Sequence, residues 1–140
     1  MAEELTMAAA RGDVRRVREL LHRGAAPNAR NAYGRTAIQV MMMGSPPLAQ
    51  LLIAHGADPT ARDPTTGACP AHDAIRGGFV DTLVVLVNGG ASVYSPQDNY
   101  GRRPIDLASA SVLQELMALG IVSQAGNQLH LSPMWPGNTK

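Results

Sequence analysis

The sequence has little of three residue types that often organise a small domain: it contains one cysteine, five aromatic residues and one lysine. The one cysteine, Cys69, excludes an intrachain disulfide and with it the class of small disulfide-stapled secreted domains. Because Phe, Tyr and Trp are scarce, the core has to be built from Ala, Leu, Val, Ile and Met. The only lysine is Lys140, so arginine supplies the other eleven basic groups.

Long apolar runs and a strong net charge are also missing. The longest apolar run, Leu83 to Val87, is far shorter than the ~20 residues that a membrane-spanning helix needs, and residues 1–12 lack the pattern of a secretory signal peptide. A net charge of +1 gives no overall attraction for polyanions, so we expect neither nucleic acid nor a membrane as partner. Residues 36–100 hold two basic and five acidic groups, which makes the centre of the chain acidic.

What the sequence does contain is an internal repeat. Gly-Ala pairs begin at Gly24, Gly56 and Gly90, so they recur at nearly equal intervals. Another glycine stands at the same distance before each pair, and the residues in between show apolar side chains at helical spacing. A period of about 33 residues with two short helices in each unit is typical of ankyrin repeats.

The residues at fixed positions within the repeats support this interpretation. The segment Cys69 to Ala74 reads Cys-Pro-Ala-His-Asp-Ala, close to the Thr-Pro-Leu-His-x-Ala of ankyrin repeats. We therefore expect an all-α solenoid of four helix-turn-helix units, with repeats at about 3–30, 31–62, 63–97 and 98–122, and a disordered tail over 123–140. In this motif His72 is a structural residue that hydrogen-bonds between neighbouring turns.

Two repeats depart from the pattern. From Thr36 to Gly44 there is one residue fewer than in repeat three, so the first helix of repeat two is predicted to be short and irregular. It contains three consecutive methionines, which either fill irregular gaps in the core or place at least one adaptable apolar side chain on the surface. Repeat four is shortened after Ala108, so its two helices either fuse or are joined by a tighter turn.

The most specific stretches are 33–44, which reads Tyr-Gly-Arg-Thr-Ala-Ile-Gln-Val-Met-Met-Met-Gly, and 63–86 of repeat three. Over about residues 5–108 the chain resembles the ankyrin-repeat inhibitors of cyclin-dependent kinases 4 and 6, most closely the four-repeat members. The resemblance implies a protein without catalytic activity that binds the monomeric kinase beside its ATP cleft, twists its lobes and opposes activation by D-type cyclins. Such a protein restrains the passage of cells from G1 into S phase.

The same resemblance implies which residues face the kinase. They are Asp73 and Arg76 of repeat three, Asp63 in the loop before it, Met41 and Met42 of repeat two, and Phe79 at the turn after Gly78. Asp73 is the first choice for an ion pair with an arginine of the kinase amino-terminal lobe. Where several members of the family carry acidic residues in repeat one, this chain has Arg15-Arg16, so any contact made by those acids does not carry over.

Other classes of function fit less well. Cys69, His72 and Asp73 resemble a nucleophile, base and orienting group, but the repeat register explains all three, so we expect no enzyme activity. The four histidines have no metal-ligand spacing and no nucleotide-binding motif is present, so neither a metal nor a cofactor is expected. We expect a monomer in cytoplasm and nucleus; the alternative is an ankyrin-repeat adaptor with a non-kinase partner.

Overall fold

The computed structural model of the protein describes residues 1–123, and the expected tail beyond Ser123 lies outside the described residues. In this part the chain forms seven α-helices and one 3₁₀ helix. These are α1 Ala2–Arg11, α2 Val14–His22, α3 Ala37–Val40, α4 Pro46–Ala54, α5 Pro70–Gly77, α6 Val80–Asn88, the 3₁₀ helix η1 Pro104–Leu107, and α7 Ala110–Ala118.

The helices follow one another in pairs that stack side by side. The first elements of neighbouring pairs pack together, α1 on α3 and α5 on η1, and the second elements form a second layer in the order α2, α4, α6 and α7. We call these second elements the outer helices. The expected all-α repeat architecture is confirmed, with a 3₁₀ helix in place of the first α-helix of repeat four.

The core lies between the repeats and is aliphatic, as the shortage of aromatic residues requires. Each outer helix contributes one fully buried leucine at a matching position: Leu20, Leu52, Leu86 and Leu116, each at most 1% exposed. Small residues such as Ala9, Ala37 and Ala71 are also completely buried, which lets neighbouring helix backbones approach closely. A repeat cannot enclose this surface alone, so stacking creates the core.

A side-chain oxygen in the second half of the long connection between pairs organises the turn there. The side-chain oxygen of Asn31 accepts hydrogen bonds from the backbone N–H groups of Tyr33 and Arg35 at 2.9 and 3.1 Å. One carboxylate oxygen of Asp98 does the same for Tyr100 and Arg102, at 2.9 Å each. These bonds satisfy backbone donors that a loop outside regular structure leaves without partners.

The structure confirms the structural role of His72, which is completely buried. Its Nδ1 accepts a hydrogen bond from the Cys69 backbone N–H at 3.1 Å, so the ring proton lies on Nε2, which donates to the Arg102 carbonyl at 2.8 Å. The first contact fixes the start of α5, and the second joins repeat three to repeat four. Gln39 and Asp106 likewise accept hydrogen bonds from the backbone N–H groups three residues earlier, those of Thr36 and Arg103.

Repeat two is irregular because its first helix stops after a single turn. The Met42 backbone N–H donates to the Ala9 carbonyl of α1 at 2.9 Å instead of continuing α3. The Thr82 hydroxyl donates to the Met43 carbonyl at 2.6 Å, which ties the same segment to α6. The predicted short helix is confirmed, and neighbouring repeats supply the hydrogen bonds that the missing helical turn does not.

Repeat four keeps its two helices separate. Ala108 has an extended backbone, and Ser109 begins α7 by accepting a hydrogen bond from the Val112 N–H at 3.2 Å. Of the two alternatives for the shortened sequence, the tighter turn is therefore correct and the fused helix is wrong. Proline at the start of η1 and serine at the start of α7 are both typical of helix N-termini.

Replacing His72 by alanine is expected to destabilise the fold by about 3 kcal/mol, because it opens a buried cavity and leaves two backbone groups without partners. Urea unfolding followed by circular dichroism measures this loss. The matched control is His22→Ala, since His22 is exposed. A loss no larger than that of the control would show that the inter-repeat hydrogen bond is dispensable.

Candidate partner-binding surface

Helix α5 places Asp73 and Arg76 on its exposed side. Its other side is buried through Ala71, Ala74 and Ile75, so the register of the helix decides which residues point outward. The Arg76 guanidinium lies 3.1 Å from the Asp73 carboxylate, and the two side chains are 51% and 40% exposed. Positions three apart lie on the same helix face, which explains why these two meet.

Asp73 is accessible but incompletely hydrated. Partial burial raises the pKa of its carboxyl group, and the charge of Asp63 raises it further, while the Arg76 charge and hydrogen bond lower it. A carboxylate that is already partly desolvated costs less to bury in an interface than one fully in water. This makes Asp73 a favourable position for an ion pair with a cationic side chain of a partner.

Asp63, which the resemblance places at the kinase interface, is bonded within the chain in this structure. Its carboxylate binds the Arg35 guanidinium at 2.6 Å and accepts hydrogen bonds from the Thr65 and Thr66 N–H groups at 2.7 and 3.0 Å. The hydrogen bond from Arg35 lowers the pKa of this carboxyl to about 2. Asp63 therefore joins the loop of repeat three to repeat two, and its oxygens are occupied within the chain.

The methionines of repeat two face in different directions. Met41 is 4% exposed and belongs to the core, so the structure does not bring its side chain to the surface. Met42 is 50% exposed and lies against Gly12, at the end of α1. The core-filling interpretation is therefore correct for Met41 and the surface interpretation for Met42. Of these two methionines, only Met42 offers apolar surface to a partner.

Phe79 lies at the turn between α5 and α6 and is 41% exposed. One ring edge packs against Gly77, and the other side contacts Gly44 of the preceding repeat. A side chain at position 77 would collide with the ring, so this glycine determines where the ring lies. Sequence reasoning missed Gly77, although its place directly before the helix-ending Gly78 was a usable signal.

An open cavity of about 240 Å³ adjoins the phenyl ring. Its lining includes Gly44, Pro46, Phe79, Thr82 and two acidic residues, Asp81 and Glu115. Sequence reasoning did not single out Asp81 or Glu115, because they belong to different repeats and line one cavity only through the stacking of repeats three and four. We use the name contact surface for Asp73, Arg76, Phe79 and Met42, the candidate residues for binding a partner.

The apparent catalytic group does not have the environment of a nucleophile. The Cys69 sulfur lies 3.2 Å from His72 Nδ1, but the residue is 2% exposed. Burial raises the pKa of the thiol, which keeps it protonated and unreactive. His72 Nδ1 also bonds to the Cys69 backbone, so the imidazole serves the helix start.

The basic pair of repeat one is partly neutralised within the chain. Arg16 binds Glu19 at 3.1 Å and approaches Glu4 at 3.7 Å. Arg15 is exposed on the same helix.

Across residues 1–123, no helix has both the length and the apolarity needed to cross a membrane.

Comparison with known proteins defines the class first. Residues 5–96 match the family model for ankyrin repeats in three copies, so the chain is an ankyrin-repeat protein. It is 57% identical over 107 residues to human cyclin-dependent kinase inhibitor 2A, covering 76% of this chain and 68% of that protein. It is also 57% identical over 106 residues to human cyclin-dependent kinase 4 inhibitor B, covering 76% of each.

The mouse protein named cyclin-dependent kinase 4 inhibitor B is 57% identical over 104 residues, which cover 74% of this chain and 79% of that protein. The chain belongs to this family of ankyrin-repeat cyclin-dependent kinase inhibitors. The resemblance that repeats two and three suggested is thereby confirmed.

Exchanging Asp63 for asparagine is expected to cost about 2 kcal/mol of stability at neutral pH, because the charge-assisted bond to Arg35 is lost. Since the pKa of Asp63 falls from an ordinary value of 3.8 to about 2 on folding, its contribution is complete above about pH 4 and declines as the pH falls towards 2. Urea unfolding of both proteins across this range measures the difference. A difference that stays constant from pH 7 down to pH 2 would contradict the assignment.

Proposed function

We propose that the protein is a stoichiometric inhibitor of cyclin-dependent kinases 4 and 6 that opposes their activation by D-type cyclins and restrains G1/S progression. The observation that carries the proposal is the exposed, partly desolvated Asp73–Arg76 pair on a helix held rigidly by the repeat stack. The choice of partner is supported by the relatives, which match about three quarters of this chain and are named as cyclin-dependent kinase inhibitors.

The proposed mechanism is binding rather than catalysis. The inhibitor favours the inactive kinase only if it binds that conformation more tightly than the active one. Kinase activity requires a lysine–glutamate ion pair that depends on the position of the kinase helix αC, and rotation of the two lobes breaks this pair. A rigid stack suits this task, because a flexible binder would lose free energy on ordering without forcing the kinase to change.

The contact surface divides the work between charge and apolar area. Asp73 supplies the charge: truncating one partner of a desolvated interfacial pair typically costs about 2–5 kcal/mol. Arg76 holds the carboxylate in place before binding and donates further hydrogen bonds afterwards. Phe79 and Met42 supply apolar area at the same side of the stack, where the turns between paired helices lie.

The acidic centre of the chain adds longer-range attraction. Residues 36–100 carry a net charge of −3, since they hold two basic and five acidic groups. An acidic surface of this kind accelerates association with a basic kinase lobe, and the acceleration decreases with added salt.

We place the action of the protein in the cytoplasm and nucleus, where a kinase of this kind meets its cyclin.

Changing Asp73 to asparagine removes the charge but keeps the shape and size of the side chain. We expect its affinity for cyclin-dependent kinase 4 to fall at least thirtyfold, about 2 kcal/mol, while the unfolding midpoint changes little because the exposed Arg76 pair is worth less than about 1 kcal/mol. Calorimetry measures the affinity and circular dichroism the stability. The control is Glu19→Gln, which removes one negative charge from outer helix α2. If both variants bind the kinase with equal affinity, Asp73 does not contribute to the interface.

A further inference from the structure

Two histidines from neighbouring repeats meet on the outer layer of the stack. His22 is the last residue of α2, and His55 directly follows α4. Their ring centres lie 5.9 Å apart and the ring planes are tilted by 52°. Both side chains are exposed, and neither belongs to the contact surface.

The proton on the His55 ring is fixed by the backbone. His55 Nδ1 lies 3.0 Å from the Leu51 carbonyl oxygen, which can only accept, so Nδ1 carries the hydrogen in the neutral ring. Nε2 then carries a lone pair and has the role of acceptor or ligand. Histidine ligands of metals characteristically donate their other N–H to a carbonyl or carboxylate in this manner.

The backbone around the two rings favours a cation and holds the rings in register. Both rings stand at helix C-termini, where carbonyl groups without helical partners concentrate partial negative charge. Below them, the Asn28 side chain donates to the Gly56 carbonyl at 2.9 Å and accepts from the Asp58 N–H at 2.7 Å. These bonds tie the loop after α2 to the loop after α4, so the two helix ends keep a fixed separation.

We propose that His22 and His55 form a surface site for a divalent transition metal ion that joins repeats one and two. Imidazole is a preferred ligand of Zn²⁺, Cu²⁺ and Ni²⁺. Two imidazoles bound at about 2.1 Å with a tetrahedral angle have ring centres roughly 5 Å apart, so a small rotation of the exposed side chains completes the geometry. Within residues 1–123 no group of three or more His, Cys, Asp or Glu side chains is placed to hold a metal, so water supplies the remaining ligands.

The spacing of histidines along the sequence gives no sign of this site. His22 and His55 lie much further apart in the sequence than the ligands of a linear metal motif. Their separation equals one ankyrin period, about 33 residues, and stacking brings residues one period apart to neighbouring positions. The sequence-based expectation of no metal considered only short linear spacings, and the proposed site would instead follow the repeat period.

The test uses the full-length protein and zinc chloride. Zinc is expected to raise the thermal unfolding midpoint by a few degrees, because a ligand that binds only the folded state stabilises it, and a chelator is expected to reverse the shift. His22→Ala and His55→Ala should each lose the shift, while the control His130→Ala keeps it. No shift in the unchanged protein, or the same shift in both variants, would overturn the proposal.

A second measurement does not depend on the variants. In proton spectra of the unchanged protein, the ring signals of two histidines are expected to move on addition of zinc, with buried His72 unaffected. Movement of other histidine signals alone would contradict the assignment. Kinase binding measured with chelator present is expected to be unchanged, so failure of the metal site and failure of the proposed inhibitor function remain distinguishable.

Discussion

Stacking between repeats is the interaction on which the rest of the molecule depends. Each pair of helices exposes an apolar stripe on both sides, and only the neighbouring pair covers it. Buried leucines at matching positions, from Leu20 to Leu116, run through the outer layer. Completely buried alanines bring the backbones close, so the stack packs closely although the whole chain has only five aromatic residues among 140. This packing fixes the position of the helices and turns that carry the contact surface.

Polar ties fix the register of the stack where apolar packing alone would let repeats slide. Asp63 joins the loop of repeat three to Arg35 of repeat two, and His72 joins repeat three to the Arg102 carbonyl of repeat four. Asp73 stands one residue after His72, so the bonds that fix the start of α5 also fix the carboxylate that the proposed interface uses. The structural role of His72 and the proposed recognition role of Asp73 thus belong to adjacent residues of one motif.

Much of this could be predicted from the sequence because the information is local or periodic. The ankyrin period, the short first helix of repeat two, and the structural role of His72 all follow from spacing. The directions of Met41 and Met42 could not be predicted, since three adjacent methionines carry no periodic signal once the helix ends. The pairing of Asp63 with Arg35 and the meeting of His22 with His55 depend on how one repeat sits on the next, which spacing within a repeat does not define.

The central claim, that a rigid ankyrin stack presents a surface complementary to one class of kinase, is tested most directly by selectivity of binding. Calorimetry of the protein with cyclin-dependent kinase 4, with cyclin-dependent kinase 6, and with a cell-cycle kinase that does not use D-type cyclins measures it. We expect a one-to-one complex with at least one of the first two and none with the third. Equal binding to all three, or no binding to kinases 4 and 6, would contradict it and favour an ankyrin-repeat adaptor with a different partner.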